Sequence, residues 1–256
     1  MDLRNQSAVV TGGASGMGAV TASALAARGA RVAVLDINQT AAQDKADEFG
    51  GVGIACDVAD AQSAASAVER VVAEIGPPRV VVNCAGIALA GRIIGRDGPH
   101  DLDEYQKVIN VNLIGTFNML RLTAATMSEL DLIGDSGGRG VIINTASQLA
   151  FTGAMDRSVY STTKAGLVQF TRAAATEWAR YGVRVVALAP GPTETPMIKD
   201  IIDTPEGRAQ RLDKIPWQRF GTAEEMARLA LVLASDLSDN VTGHTLIADG
   251  GYVAAS

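Results

Sequence analysis

The chain has 256 residues, 47% of them hydrophobic and 4% aromatic, with 27 glycines and a formal net charge of −6. This length and balance suit one α/β domain with an ample core and exclude a disordered chain. An acidic surface without a block of Lys or Arg excludes nucleic acid and an anionic membrane surface as the principal partner.

The first predicted element is a strand over residues 7–11 (SAVVT), which feeds directly into Gly12, Gly13, Ala14, Ser15, Gly16, Met17 and Gly18, with an alanine-rich helix predicted over 19–28. Glycines here allow positive φ and close backbone approach to a ligand. The N–H groups freed at the helix start form an anion site suited to a pyrophosphate. A second strand is predicted over 31–35, and Asp36 stands at its end, eighteen residues after Gly18. That is near the offset at which an acid binds an adenosine ribose. A carboxylate there accepts hydrogen bonds from the 2′-hydroxyl and repels a 2′-phosphate, and Ile37 supplies no cation to offset the repulsion. The pattern predicts NAD rather than NADP.

A helix over 39–49 follows, then a short strand over 53–56 ending at Asp57 and Val58, a helix over 61–75 closed by Pro77 and Pro78, and a β-branched strand over 79–83. Cys84, Ala85 and Gly86 then offer small residues where a ligand can pass. Cys56 and Cys84 lie at the ends of apolar runs and read as reduced core cysteines of a cytoplasmic protein. Residues 88–98 read as a glycine-rich surface loop. Asp101 or Asp103 starts a helix that carries Asn110, Asn112 and Phe117.

A second glycine-rich loop over 136–140 leads into a buried strand over 141–144, with Thr145, Ala146 and Ser147 at its carboxyl end. The helix holding Tyr160 and Lys164 runs to about Tyr181, a strand over 183–188 follows, and Pro190, Gly191 and Pro192 stop it. Residues 193–220, rich in Pro and charge and longer than most connections, read as a substrate lid. A helix over 223–235 and a strand over 245–248 close the chain. Neither repeat nor linker divides it. Seven strands alternating with helices predict a single-domain, doubly wound α/β fold. Its seven-stranded parallel sheet has helices on both faces and ligands at the carboxyl ends of the strands.

His100 and His244 are the only histidines, and neither cysteine belongs to a metal-ligand spacing, so a histidine triad and a metal site have almost nothing to be made from. The chain start lacks a charged-then-apolar leader pattern and no apolar run reaches membrane-spanning length, which predicts no membrane partner. What remains is Tyr160 four residues before Lys164, a spacing that places both on one helix face. A free tyrosine titrates near ~10, and a neighbouring ammonium favours the phenolate, so the pair suits proton exchange near neutral pH. By spacing alone the pair is a common coincidence, Asn112 a capping or packing residue and Ser147 a strand-end turn residue.

TGGASGMG at 11–18, Asp57-Val58, NCAG at 83–86, NVNL at 110–113, Ser147, YSTTK at 160–164, Pro190-Gly191 and DGG at 249–251 together change that. Along almost its whole length the chain resembles the short-chain dehydrogenase/reductase family, whose domain is a Rossmann fold. The resemblance implies that Gly12, Ser15, Gly16, Met17 and Gly18 hold the pyrophosphate and Asp36 the adenosine ribose. Asp57 and Val58 would flank the adenine. Cys84, Ala85 and Gly86 would lie along the nicotinamide side, with Pro190, Gly191, Thr193 and Thr195 at the nicotinamide end.

The implied catalytic set is Asn112, Ser147, Tyr160 and Lys164. Ser147 would hydrogen-bond the substrate oxygen and Tyr160 exchange a proton with it. Lys164 would lower the tyrosine pKa and bind the nicotinamide ribose, and Asn112 would hold a water of the proton relay. Self-association as a homotetramer or dimer is implied as well. GTFNMLRL at 115–122, RGVIINTAS at 139–147 and YSTTKAGL at 160–167 are similar to the type 2 3-hydroxyacyl-CoA dehydrogenase branch.

The expected activity is therefore NAD-dependent interconversion of a secondary alcohol and a ketone, with a 3-hydroxyacyl-CoA as substrate. A free steroid, alicyclic or aryl alcohol is the alternative substrate, and a non-catalytic nucleotide-binding partner subunit is the alternative class. The departure from the branch is Met155, Asp156, Arg157 and Ser158, more charged than expected in a segment that borders the substrate in the family.

Overall fold

A computed structural model describes residues 1–96, 98–134 and 137–256, with the backbone only of Ile201. Ser136, the first residue of the second glycine-rich loop, lies outside the described residues, as does Asp97 in the first. Seven parallel strands form one sheet: β1 (Ser7–Thr11), β2 (Arg31–Asp36), β3 (Val52–Ala55), β4 (Val80–Asn83), β5 (Gly140–Thr145), β6 (Val183–Pro190) and β7 (Thr245–Ala248). Their spatial order is β7-β6-β5-β4-β1-β2-β3. The order reverses between β1 and β4, and their carboxyl ends come side by side with Thr11 opposite Asn83. That reversal is where a doubly wound sheet opens a crevice for a ligand.

The central strands are apolar because both faces are covered, and the side-chain alternation of a strand sends successive residues to different cores. Val9, Val81 and Ile142 join one cluster, with Val68, Val71, Met119 and Ala174. Their neighbours Val10, Val80, Val82, Val141 and Ile143 join the other, with Ala22, Leu25, Ala42 and Ala230. The helices that supply these layers are α1 (Gly16–Ala27), α2 (Gln39–Asp47), α3 (Ala61–Ile75), α4 (Leu102–Ile109), α5 (Gly115–Ser128), α6 (Ser158–Trp178), the short α7 (Lys199–Ile202) and α8 (Pro205–Leu212), and α9 (Ala223–Ala234). Several begin on side-chain caps. Asp60 accepts from Ser63 N at the start of α3. Thr222 and Glu225 form a reciprocal capping box at α9, and Arg219 clasps the same carboxylate.

Three local features differ from the sequence expectation. Helix α1 starts at Gly16 rather than residue 19, so the end of the glycine motif is itself the first helical turn. The helix capped by Asp101 is broken after Ile109 by a π-helical turn, Asn110–Ile114, before α5 resumes. Hydrophobic periodicity carries no signal for a one-residue change of helical repeat. Residues 88–98 are not wholly irregular, since Ile94–Gly95 pairs antiparallel with Gly98–Pro99. In the long connection after β6, Thr193–Glu194 pairs in parallel with Gly221–Thr222, so both ends of the 193–220 segment are fixed at one point.

Candidate active site

At the reversal point a cleft of about 370 Å³ is lined by Gly12, Ser15, Gly16, Met17, Gly18, Asp36, Asp57, Val58, Cys84, Ala85 and Gly86. Two glycines show why the chain is bare there. Gly12 has φ +60°, and a Cβ on it would sit 2.8 Å from the Ala85 backbone; one on Gly18 would sit 2.2 Å from the Gly12 oxygen. The turn thus packs against the β4 end and leaves the start of α1 facing the cleft. Ser15, the residue before α1, makes no side-chain cap, so the first N–H groups keep their capacity for an anion. At the far side the Asp36 carboxylate is fixed by Ala14 N at 3.2 Å and Asn38 N at 3.1 Å. The cleft therefore has the form a dinucleotide needs: a glycine cradle, an anion site at a helix start and a fixed carboxylate.

Ser147 follows β5 and Tyr160 lies in the first turn of α6, and both line one cavity with the Ser147 hydroxyl near enough to act on that of Tyr160. One turn on, Lys164 is buried and its Nζ donates to Thr145 O at 2.6 Å, while lying 5.5 Å from the Tyr160 ring centroid. Asn112, fully buried in the π turn, accepts from Ile87 N at 2.8 Å. Its amide hydrogens go to Ile87 O at 2.9 Å and Thr163 Oγ1 at 3.2 Å. A Cβ on Gly86 would lie 3.3 Å from Asn112 Oδ1 and 3.7 Å from Lys164 Nζ, so these two groups border the same small space. The second lone pair of Oδ1 is what the Asn112 side chain still offers a water.

Electrostatically, burial dominates. It raises the Tyr160 hydroxyl above its ordinary value, opposed by the hydrogen bond with Ser147 and by the positive charge of Arg157. The same desolvation lowers Lys164 to about 8. Lys164 was expected to pull Tyr160 down, but its ammonium is turned to a backbone carbonyl, and Ser147 and Arg157 are the groups that oppose the rise. Cys84 differs from the core reading too: it is half-buried on the cleft wall, its Sγ 3.4 Å from Thr145 Oγ1.

A second, mostly apolar cavity of about 120 Å³ adjoins the first, and Ser147, Tyr160, Pro190, Gly191 and Thr193 lie on its wall. Met17 and Thr195 line both spaces, so the two open onto each other at the sheet edge.

The family model described as enoyl-(acyl carrier protein) reductase matches residues 12–253. The chain is 39% identical to D-threitol dehydrogenase of Mycolicibacterium smegmatis, over 96% of this chain and 92% of that protein. This chain belongs to the short-chain dehydrogenase/reductase family. It is also 39% identical to 3-hydroxyacyl-CoA dehydrogenase type-2 of Rattus norvegicus, over 87% of this chain and 86% of the relative. The crystal structure of 3-hydroxyacyl-CoA dehydrogenase type-2 from Mycobacterium avium superposes with a TM-score of 0.89 at 32% identity, covering 96% and 95% of the two chains.

As a short-chain dehydrogenase/reductase the protein is an oxidoreductase with the seven-stranded Rossmann sheet of its structural neighbours. Among the described residues no group of three His, Cys, Asp or Glu is placed to hold a metal ion, and no helix is long and apolar enough to cross a membrane. Sequence reasoning missed Ile87, whose backbone fixes Asn112, and Gln148, Met197 and Arg211, which line the apolar cavity. Arg211 is one charge among many in the 193–220 stretch, and only the fold shows which of them reaches the cavity.

Proposed function

We propose that this short-chain dehydrogenase/reductase interconverts a secondary alcohol and a ketone with NAD as its cofactor, a 3-hydroxyacyl-CoA being the first substrate. The observation that carries the reading is that Ser147 and Tyr160 share the wall of a mostly apolar cavity that opens onto the Asp36 cleft. Bound there, the nicotinamide supplies the carbon that accepts or donates a hydride. Gly12, Ser15, Gly16, Met17 and Gly18 would hold the pyrophosphate, and Asp57, Val58 and the 84–86 turn would flank the bases. Pro190, Gly191, Thr193 and Thr195 would lie at the nicotinamide end. Asp36, already oriented by two backbone amides, favours a ribose hydroxyl and disfavours a phosphate.

The substrate oxygen would sit between Ser147 and Tyr160, where two hydroxyls converge. Ser147 holds it and Tyr160 delivers or removes its proton. With its pKa raised by burial, Tyr160 enters as a neutral phenol, which suits proton donation to a forming alkoxide. Lys164, tied to Thr145 O, keeps α6 against the end of β5 and, with Asn112 Oδ1, borders the space through which a water would return the proton. The 193–220 segment acts as the lid, and the enzyme works as a cytoplasmic homo-oligomer. Ile114 and Phe117, 46% and 48% exposed, are suited to lie at a subunit contact.

The similarity to type-2 3-hydroxyacyl-CoA dehydrogenases supports the acyl-CoA substrate. The similarity to D-threitol dehydrogenase, with Arg157 on the cavity wall, favours a free alcohol as the second reading. A substrate panel of 3-hydroxyacyl-CoA thioesters and free secondary alcohols, each with NAD and with NADP and read at NADH absorbance, tests all of this. Absence of turnover with every member refutes the activity.

A further inference from the structure

The cavity beside Ser147 and Tyr160 is mostly apolar, and its charged lining residues are both cations. Arg157 and Arg211 line it, and no Asp or Glu does. Three charged groups near them are paired. Asp156, the neighbour of Arg157, pairs with Arg92 at 3.0 Å. Arg208, one turn before Arg211 on α8, pairs with Glu194 and lies over the Phe220 ring. Arg219 is clasped by Glu225 at 2.8 Å. Arg157 and Arg211 have no carboxylate partner among the described residues and make no side-chain hydrogen bond there. Arg157 is partly buried and Arg211 solvent-exposed, so two like charges stand at one cavity with guanidinium forks that water serves and an anion can take over.

Their placement is built. Arg157 immediately precedes α6, three residues before Tyr160. Its segment is fixed from outside by the Gly91–Arg157 bridge, by Gly91 N donating to Asp156 O at 3.0 Å and by the Arg92–Asp156 pair. The salt bridge draws the Asp156 carboxylate away and leaves Arg157 as the charge that faces the cavity. Arg211 arrives from the other side, on α8 of the segment pinned at Thr193–Glu194 and Gly221–Thr222. Arg157 shares the cavity lining with Tyr160, and its positive charge acts on the Tyr160 hydroxyl.

We propose that Arg157 and Arg211 form an anion clamp, so that the substrate of this dehydrogenase is a secondary alcohol or ketone carrying a carboxylate or phosphate group. The proposal rests on the dehydrogenase reading and narrows its substrate. The clamp recognises the anion by charge and bidentate hydrogen bonds, while the apolar wall holds the carbon chain and aligns the carbinol with Ser147 and Tyr160. The anion is either the substrate's own carboxylate, as in a hydroxy acid, or a phosphate of a coenzyme A thioester.

The test uses one carbon skeleton in four forms: a 3-hydroxy carboxylate, its methyl ester, its N-acetylcysteamine thioester and its coenzyme A thioester. Each is assayed for NADH formation with the wild-type enzyme, Arg157→Gln, Arg211→Gln and Arg157→Lys. Expected is a wild-type preference of at least about tenfold in kcat/KM for an anionic form over its neutral counterpart. Each glutamine variant should cut that ratio by about 10–100-fold, mainly through KM, and Arg157→Lys should recover part of it.

A preference for the carboxylate over its ester assigns the anion to the acid. A preference for the coenzyme A thioester over the N-acetylcysteamine thioester assigns it to the coenzyme. Equal treatment of charged and neutral forms by the wild type, or an unchanged ratio in both glutamine variants, overturns the clamp. If no form is turned over, the dehydrogenase reading fails by itself. Calorimetric titration with the 3-hydroxy carboxylate and the coenzyme A thioester in the presence of NAD then decides the clamp. Binding that Arg157→Gln weakens supports it, and absence of binding by the wild type overturns it.

Discussion

Lys164 Nζ donates to the main-chain oxygen of Thr145 at 2.6 Å, joining the helix that carries Tyr160 to the strand end that delivers Ser147. The amine is held there against its preference for water, and desolvation lowers it to about 8 from 10.5. Between those values the unfolded chain binds more protons than the folded one, so this residue's contribution to stability rises with pH across that window. Lys164→Met should therefore be more stable than the wild type at pH 7, by up to about 2 kcal/mol after loss of the carbonyl partner. It should lose that advantage by pH 10 and turn over substrate at least about 100-fold more slowly. Urea denaturation at the two pH values, with the kinetic assay, checks it; a variant destabilised at both would contradict the linkage.

Tyr160→Phe removes one oxygen from the Ser147 pair and leaves the Asp36 cleft untouched. We expect kcat to fall by about 10²–10⁴-fold while NADH binding, read by fluorescence titration, stays within about threefold.

The Tyr160 hydroxyl is raised by burial and drawn down by Ser147 and Arg157. Alcohol oxidation requires the deprotonated form, so kcat/KM for oxidation should climb with pH on the alkaline side. Arg157→Gln withdraws a positive charge that favours the phenolate, and its rising limb should move to higher pH. A pH–rate profile with a neutral alcohol isolates this effect from substrate binding. A limb that stays in place would show that Arg157 does not act on the tyrosine.

Asp36 accepts from Ala14 N and Asn38 N and lines the glycine-bordered cleft beside the 73% exposed Ile37. Asp36→Ala with Ile37→Arg exchanges a carboxylate for a guanidinium at the ribose end. The NAD-to-NADP ratio of kcat/KM should fall by about 10–1000-fold, measured with either coenzyme as the varied substrate.

The sheet was legible because its strands alternate between two cores: Val9 and Val10 face opposite sides, and both sides demand an apolar residue. The glycine-lined cleft was legible for a different reason. Gly12 and Gly18 stand where any Cβ would strike backbone, so sequence and geometry are bound together. The π turn at Asn110–Ile114 was not legible, since it arises from tertiary packing of a helix whose own residues favour an ordinary repeat. Nor was the balance of forces on Tyr160. Spacing puts Lys164 on its face but cannot say that the Thr145 carbonyl claims the ammonium or that burial outweighs it. Arg157 stood out as an unusual charge; its pairing with Arg211 across the cavity depends on contacts far apart in the chain.

The two-residue ladder between Thr193–Glu194 and Gly221–Thr222 gives the enzyme a modular boundary. The ends of the excursion between its rungs meet at one point, and the excursion returns to the body of the fold where Ile215 is buried and Trp217 N donates to Gly250 O at 3.1 Å. Ser147, Tyr160, Lys164 and the glycine cradle lie outside that boundary, whereas Thr195, Met197, Ile202 and Arg211 lie within it. Substitutions at Ile202 and Arg211 can therefore reshape the cavity while the residues of the sheet edge stay as they are.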